Sequence, residues 1–138
     1  MTMILKAMAG LLTYPQENLI SALPEIGLLI GSEPRLPEVH KAALLGLAND
    51  LTDDDLLSSQ EHYVDVFDRG RATSLHLFEH VHGESRDRGM AMIDLGNMYE
   101  KAGLSLRGNE LPDYLPAVLE YLSTCSQDEV HEMLGDCA

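Results

Sequence analysis

The sequence has few of the residues that stabilise small secreted domains or bind nucleic acids. It contains no tryptophan and two cysteines, Cys125 and Cys137, whose spacing matches neither a CxxC motif nor a zinc site. This usage favours reduced thiols in a cytosol over a disulfide framework. Nine basic residues face 23 acidic ones, giving a formal charge of −14. Such a charge argues against a nucleic acid partner, because phosphate recognition needs a basic surface.

Long apolar runs and a secretory signal are also missing. No run approaches the roughly 18 residues of a membrane span, and the N-terminus has no basic segment before its apolar residues. Export is therefore not indicated. The hydrophobic content of 45% is nevertheless typical of a globular protein and too high for an acidic disordered tail. We expect a cytoplasmic protein with neither a membrane nor a nucleic acid partner.

Helical periodicity runs through most of the 138 residues, because apolar side chains recur at intervals of three and four. The first helix starts at Thr2 and ends before Pro15, the second is broken or kinked at Pro24, and the third opens at Pro37 with Val39 on its apolar face. No repeat or long linker divides the chain. The pattern predicts an all-α fold, a single-domain helical bundle of about seven or eight helices over residues 1–138.

Capping signals mark further helix ends. Thr52 and the three aspartates that follow it predict a capped helix start, and a short helix is expected over residues 74–81. The next helix has Met92, Ile93 and Tyr99 on its expected buried side, and Gly103 is placed to close it in a left-handed conformation. Ser126 and Glu129 form an S-x-x-E capping box for the last helix.

Charge is unevenly distributed along the chain. Between Phe67 and Gly89 lie four arginines, four acidic residues and three of the six histidines, so this stretch is neutral. The whole net charge therefore belongs to the rest of the protein, where 5 basic residues face 19 acidic ones. We call residues 69–88 the central run. Its four arginines, together with Asp68 and Asp87, have two interpretations. They form internal ion pairs at the ends of the short helix, or they orient acidic residues toward a partner.

The central run contains one metal-binding pattern. His76, Glu79 and His80 match H-x-x-E-H, in which two histidines one helical turn apart bind zinc and the glutamate activates water. The alternative is a polar hydrogen-bonded cluster with no metal. Three methionines of the following helix, Met90, Met92 and Met98, present a similar choice between an adaptable peptide groove and core packing.

Three segments resemble the NarJ family, the assembly chaperones, or delta subunits, of respiratory nitrate reductase. Residues 63–95 read YVDVFDRGRATSLHLFEHVHGESRDRGMAMIDL, residues 109–116 read NELPDYLP, and residues 11–15 read LLTYP. The resemblance extends to residues 119–122, LEYL, and so covers nearly the whole chain. It implies the all-helical fold of the redox-enzyme maturation chaperones related to TorD and DmsD.

The resemblance also implies a function without catalysis and without a cofactor of the chaperone's own. Family members bind the N-terminal, leader-like segment of the nitrate reductase catalytic (alpha) subunit apoprotein and support insertion of the molybdenum cofactor before membrane attachment. The matched positions expected to touch this client are Arg69, Arg71, Leu75, Phe78, Glu79, His80, His82, Glu84, Arg86, Asp87, Arg88 and Met92. An acidic body and an apolar groove beside Leu75, Phe78 and Met92 would suit a basic amphipathic peptide.

The sequence departs from the family in its length. Family members continue beyond the equivalent of Ala138 with further helices, so we expect an open bundle face that favours a homodimer. Two alternatives to the chaperone remain at this point. One is a zinc-dependent hydrolase built on residues 76–80, and the other is a plain helical adaptor whose central run is structural.

Overall fold

Helices dominate the chain, as the periodicity predicts. The computed structural model describes residues 2–69, 73–78, 86–106 and 110–137. Within them lie seven α-helices, α1 (Thr2–Leu12), α2 (Glu17–Ser32), α3 (Glu38–Asp53), α4 (Leu56–Tyr63), α5 (Arg86–Lys101), α6 (Leu115–Leu122) and α7 (Gln127–Cys137). A π-helical turn, Val64–Asp68, continues α4. The all-α class is confirmed. No helix of the described ranges is long and apolar enough to cross a membrane.

Helix α1 is the central element because it is buried on two sides. Ile4 and Leu11 pack in one apolar cluster with α2 and α3, whereas Leu5 and Ala9 pack in a second cluster with α5, α6 and α7. The sequence predicts one inner stripe on this helix, and the structure divides that stripe between two cores. The remaining face of α1, which carries Lys6 and Gly10, lies beside an open groove.

Helix α2 continues through Pro24, although the sequence predicts a break or kink there. Leu19, Leu23, Ile26 and Ile30 are all buried and follow the helical period across the proline. Pro24 itself is exposed, so its missing N–H faces solvent rather than the core. The apolar face of α2 therefore holds a single helix together against α1 and α3.

The start of α4 is capped by a different residue from the one predicted. The Asp55 carboxylate accepts a hydrogen bond from the Ser58 amide at 2.8 Å, whereas the Thr52 hydroxyl donates to the Ala48 carbonyl inside α3. Helix α3 runs on to Asp53, so the cap falls three residues later than expected. An N-cap must have non-helical backbone angles, and Asp55 is the residue that has them.

The later helix ends agree with the sequence. Gly103 closes α5 with a φ of +76°, and Ser126 and Glu129 exchange hydrogen bonds at 3.2 and 3.3 Å as a capping box. Two predicted core positions are wrong. Val39 on α3 is 72% exposed and Ile93 on α5 is 66% exposed, because each lies one step off the face that its helix presents to the core.

Candidate functional site

The central run begins on the surface. Arg69 follows the π-helical turn, and its guanidinium lies 3.0 Å from the Asp65 carboxylate, with both side chains largely exposed. An exposed i,i+4 pair of this kind contributes little to stability. Arg69 is therefore available to a partner, and Asp65 rather than Asp68 is its neighbour in the folded chain.

Residues 75–78 of the central run are attached to residues 113–115, and we call this attachment the strap. The Leu115 amide donates to the Leu75 carbonyl at 2.7 Å, and the Leu77 amide donates to the Asp113 carbonyl at 3.0 Å. His76 and Tyr114 face each other across it, with ring centroids 5.7 Å apart. The predicted short helix therefore starts only at Leu77, since residues 73–76 form a turn, a bend and the isolated bridge of His76 to Tyr114.

Asp113 is the most buried polar residue of the strap, with an exposed fraction of 0%. Its Oδ2 accepts a hydrogen bond from the Phe78 amide at 3.0 Å. Among the described residues, its Oδ1 has no hydrogen-bond partner. The buried Asp113 carboxylate thus satisfies the Phe78 amide, near the start of the helix that opens at Leu77, while its other oxygen is left without a partner in the described ranges.

The predicted client contacts are placed unevenly. Leu75 and Phe78 are buried, Phe78 in the same apolar cluster that Met92 half-covers, so both belong to the interior rather than to an open wall. Asp87 is exposed and Arg88 is half-buried. The side chain of Arg86, at the start of α5, lies outside the described residues, as do the whole of Arg71, Glu79, His80, His82 and Glu84.

Of the three residues in the H-x-x-E-H zinc pattern, His76 lies within the described residues. His76 lies in the strap, whereas Glu79 and His80 fall outside the part of the chain that the structure describes. In that part, no group of three histidine, cysteine, aspartate or glutamate side chains is arranged to hold a metal ion.

A groove with a volume of about 510 Å³ lies along the free face of α1. Its floor is the face of α1 from Met3 through Gly10, together with Thr13 just past the end of the helix. One wall is α2, and the other wall is built by residues 104–106 and 110–120. Ten residues of α1 measure roughly 15 Å at 1.5 Å per residue. The groove is therefore long enough to hold about ten residues of a helical peptide, with apolar side chains from both walls against it.

Acidic side chains outnumber basic ones along the groove. Glu25, Glu110 and Glu120 line it together with a single cation, Lys6, and all four side chains are exposed. Within the described ranges none of these four takes part in an ion pair. A mainly apolar lining that carries three glutamates against one lysine is the complement of a basic amphipathic segment.

Two tyrosines fix the wall of the groove. The Tyr114 hydroxyl lies 2.5 Å from the Tyr63 hydroxyl at the end of α4, and the Tyr99 hydroxyl donates to the Pro112 carbonyl at 2.6 Å. Burial is the main reason that the pKa values of Tyr63, Tyr99 and Tyr114 are raised above the ordinary value for tyrosine. These phenols therefore stay neutral and act as fixed hydrogen-bonding groups.

The sequence predicts a groove beside the central run rather than along α1. The groove draws its lining from residues 3–29 and 99–120, which no local pattern brings together. One signal was present in the sequence. Lys6, Gly10 and Thr13 recur at intervals of four and three on an otherwise apolar helix, which marks a face that is not core.

Comparison with known proteins gives one consistent result. The model of the nitrate reductase delta subunit family matches residues 33–136. The chain is 51% identical over 128 residues to the nitrate reductase molybdenum cofactor assembly chaperone NarJ of Escherichia coli K12, covering 93% of this chain and 54% of that protein. It is 47% identical over 135 residues to NarW of the same strain, a candidate chaperone of the same description, covering 98% and 55%.

A solved structure supports the fold independently. A candidate redox enzyme maturation protein from Archaeoglobus fulgidus superposes with a TM-score of 0.70 at 22% identity, over 99% of this chain and 77% of that one. The chain spans a little over half the length of the two E. coli relatives. The resemblance seen in the sequence is confirmed. The chain belongs to the nitrate reductase delta subunit family.

Proposed function

We propose that this protein is a chaperone for assembly of nitrate reductase. In this proposal it binds the N-terminal, leader-like segment of the catalytic (alpha) subunit apoprotein and supports insertion of the molybdenum cofactor before membrane attachment. It acts by binding, without catalysis, in the cytoplasm. Support comes from the family and from the relatives named as molybdenum cofactor assembly chaperones.

The groove along α1 is the observation that carries the proposal. It offers apolar contact over about ten residues of helix and three exposed glutamates at its rim, none of which forms an ion pair with another described residue. A basic amphipathic segment would place its apolar face on the floor and its basic side chains against Glu25, Glu110 and Glu120. The formal charge of −14 adds long-range attraction that raises the rate of encounter.

The central run supplies a second contact in this proposal. Arg69 and Asp87 are exposed and Arg88 is half-exposed, so they can meet polar groups of the client. Leu75 and Phe78 support that surface from below, since both are buried. We propose that the remaining residues predicted to contact the client do so as part of the same segment. They are Arg71, Glu79, His80, His82, Glu84, Arg86 and Met92.

The domain organisation and the oligomeric state are also proposals. We propose that residues 1–138 form one helical chaperone domain and that an exposed apolar face favours a homodimer. Met90 and Ile93 lie on such a face of α5. Sedimentation of the protein at high concentration tests the dimer, and a clean monomer would refute it.

Calorimetric titration with a synthetic peptide of the catalytic subunit's N-terminal segment tests the proposed function. We expect saturable binding that weakens from low to high ionic strength, because exposed charge pairs are screened by salt. A scrambled peptide of the same composition is the control for nonspecific charge attraction. Absence of binding to either peptide at low salt would contradict the client that we propose.

Metal analysis separates the chaperone from the hydrolase that the H-x-x-E-H pattern suggests. The chaperone requires no zinc, so protein purified without added metal should contain none in stoichiometric amount. Stoichiometric zinc that disappears on His76→Ala would revive the hydrolase. Peptide binding distinguishes the chaperone from a plain adaptor, which would have no preference for the native over the scrambled sequence.

A further inference from the structure

The groove along α1 and the central run share one segment of backbone. Glu110, Tyr114 and Pro116 line the groove, and the residues between them hold the strap through the Asp113 and Leu115 backbone. A displacement of this segment therefore moves a groove wall and the central run together.

Burial of the Asp113 side chain is energetically unfavourable. Burying a carboxyl oxygen without a hydrogen-bond partner is unfavourable, and Oδ1 has none among the described residues. Its other oxygen has one task, which is to accept from the Phe78 amide in the central run. Asp113 thus joins the groove wall to the central run by a bond that local helix formation would not supply.

We propose that Asp113 is a positioning residue that couples the groove to the central run, so that a peptide seated in the groove stabilises the hydrogen bonds of the strap. The strap connects the groove wall to the central run. Tyr63 fixes the position of this connection, because its hydroxyl is hydrogen-bonded to that of Tyr114. The inference rests on the proposed function for the identity of the ligand, but the connection itself exists in the free protein.

Coupling of this kind is reciprocal. If a peptide in the groove stabilises the closed strap by a given factor, then the peptide binds the protein with a closed strap more tightly than the protein with an open strap by the same factor. Replacing a residue that merely supports the fold would change global stability, but the peptide would not slow hydrogen exchange in the strap. Amide hydrogen exchange at Leu77, Phe78 and Leu115 reports the strap directly, because these three amides form its hydrogen bonds.

The first measurement uses the free protein and no client. Tyr63→Phe releases the Tyr114 hydroxyl, and we expect the amides of Leu77 and Phe78 to exchange roughly fivefold faster or more, the scale of one lost hydrogen bond. The amide of Ile30, in the other apolar cluster, serves as the internal reference and should change less than about twofold. Unchanged exchange at both strap amides would overturn the coupling.

The second measurement adds the N-terminal peptide at saturation. We expect slower exchange at Leu77 and Phe78 in the native protein, and a peptide affinity that falls in Asp113→Ala by a factor no larger than that slowing. Asp113→Asn, which retains an acceptor for the Phe78 amide, should recover most of the affinity, and Asp50→Asn on exposed α3 is the charge-matched control. Peptide binding that leaves the strap amides unchanged would refute the inference.

The two proposals fail separately in this design. A peptide that does not bind contradicts the proposed client, while a Tyr63→Phe effect on the strap in the free protein would still support the coupling. A peptide that binds with full affinity to Asp113→Ala supports the proposed function and contradicts the coupling.

Discussion

The acidic rim of the groove gives the sharpest prediction about client binding. Replacing Glu25, Glu110 and Glu120 together by glutamine removes three negative charges and keeps the size and polarity of each side chain. All three are exposed and outside any ion pair of the described residues, so their removal leaves no partner unsatisfied. The change should therefore act on the bound peptide and spare the fold.

The size of the effect follows from the exposure of these side chains. An exposed ion pair contributes about 0.2–1 kcal/mol, so three pairs with a basic peptide contribute roughly 0.6–3 kcal/mol. At 1.4 kcal/mol for each factor of ten, the peptide should bind about 3- to 150-fold more weakly. Most of this difference should vanish in about 1 M salt, where the screening length falls to roughly 3 Å.

Titration calorimetry at two salt concentrations measures the effect, and the chain offers a matched control. Asp50→Asn, Glu61→Gln and Glu132→Gln remove the same charge from exposed positions that do not line the groove. We expect the control triple variant to lose much less affinity than the groove triple variant. Equal losses in both would show that net charge alone attracts the peptide and that the groove is not its site.

Four further predictions concern the fold beneath the site. Leu122→Ala should lower the free energy of unfolding by about 2–5 kcal/mol in a urea titration, because Leu122 is fully buried, whereas Leu57→Ala at an exposed site should change it by less than about 0.5 kcal/mol. Asp55→Ala should cost about 0.5–2 kcal/mol in the same assay through loss of the α4 cap. Gly10→Ala should raise the free energy of unfolding by about 0.5–1 kcal/mol, because alanine is favoured over glycine inside a helix. The new Cβ would meet two α2 side chains at an ordinary contact distance of 3.6 Å. Stability should fall above a pH of about 10, where the unfolded chain ionises tyrosines that burial keeps neutral in the fold, and Tyr99→Phe should reduce that alkaline slope.

Much of the fold is readable from local signals. The capping box at Ser126, the left-handed Gly103 and the all-helical class are set by interactions within a few residues, so the sequence predicts them and the structure confirms them. The errors arise where tertiary contacts decide. Pro24 stays inside α2 because the helix keeps its apolar face against two neighbours. Val39 and Ile93 are exposed because the helices around them present other faces to the core.

The candidate site shows the same division. The resemblance directs attention to the central run, and the order of its residues says nothing about which are buried. Leu75 and Phe78 lie in the interior because residues 113–115, distant in sequence, hold them there. The groove along α1 is assembled from residues 3–29 and 99–120, so its acidic rim is visible only once α2 and α6 flank the same helix.

We propose that this protein serves nitrate reductase by binding its catalytic subunit before the molybdenum cofactor is in place. The most direct measurement is the molybdenum content and activity of nitrate reductase from cells that lack this protein and carry either the native chain or the groove triple variant. We predict that the catalytic subunit is made but lacks molybdenum in the deletion strain, recovers fully with the native chain, and recovers less with the variant. A fully loaded and active reductase in the deletion strain would contradict the account.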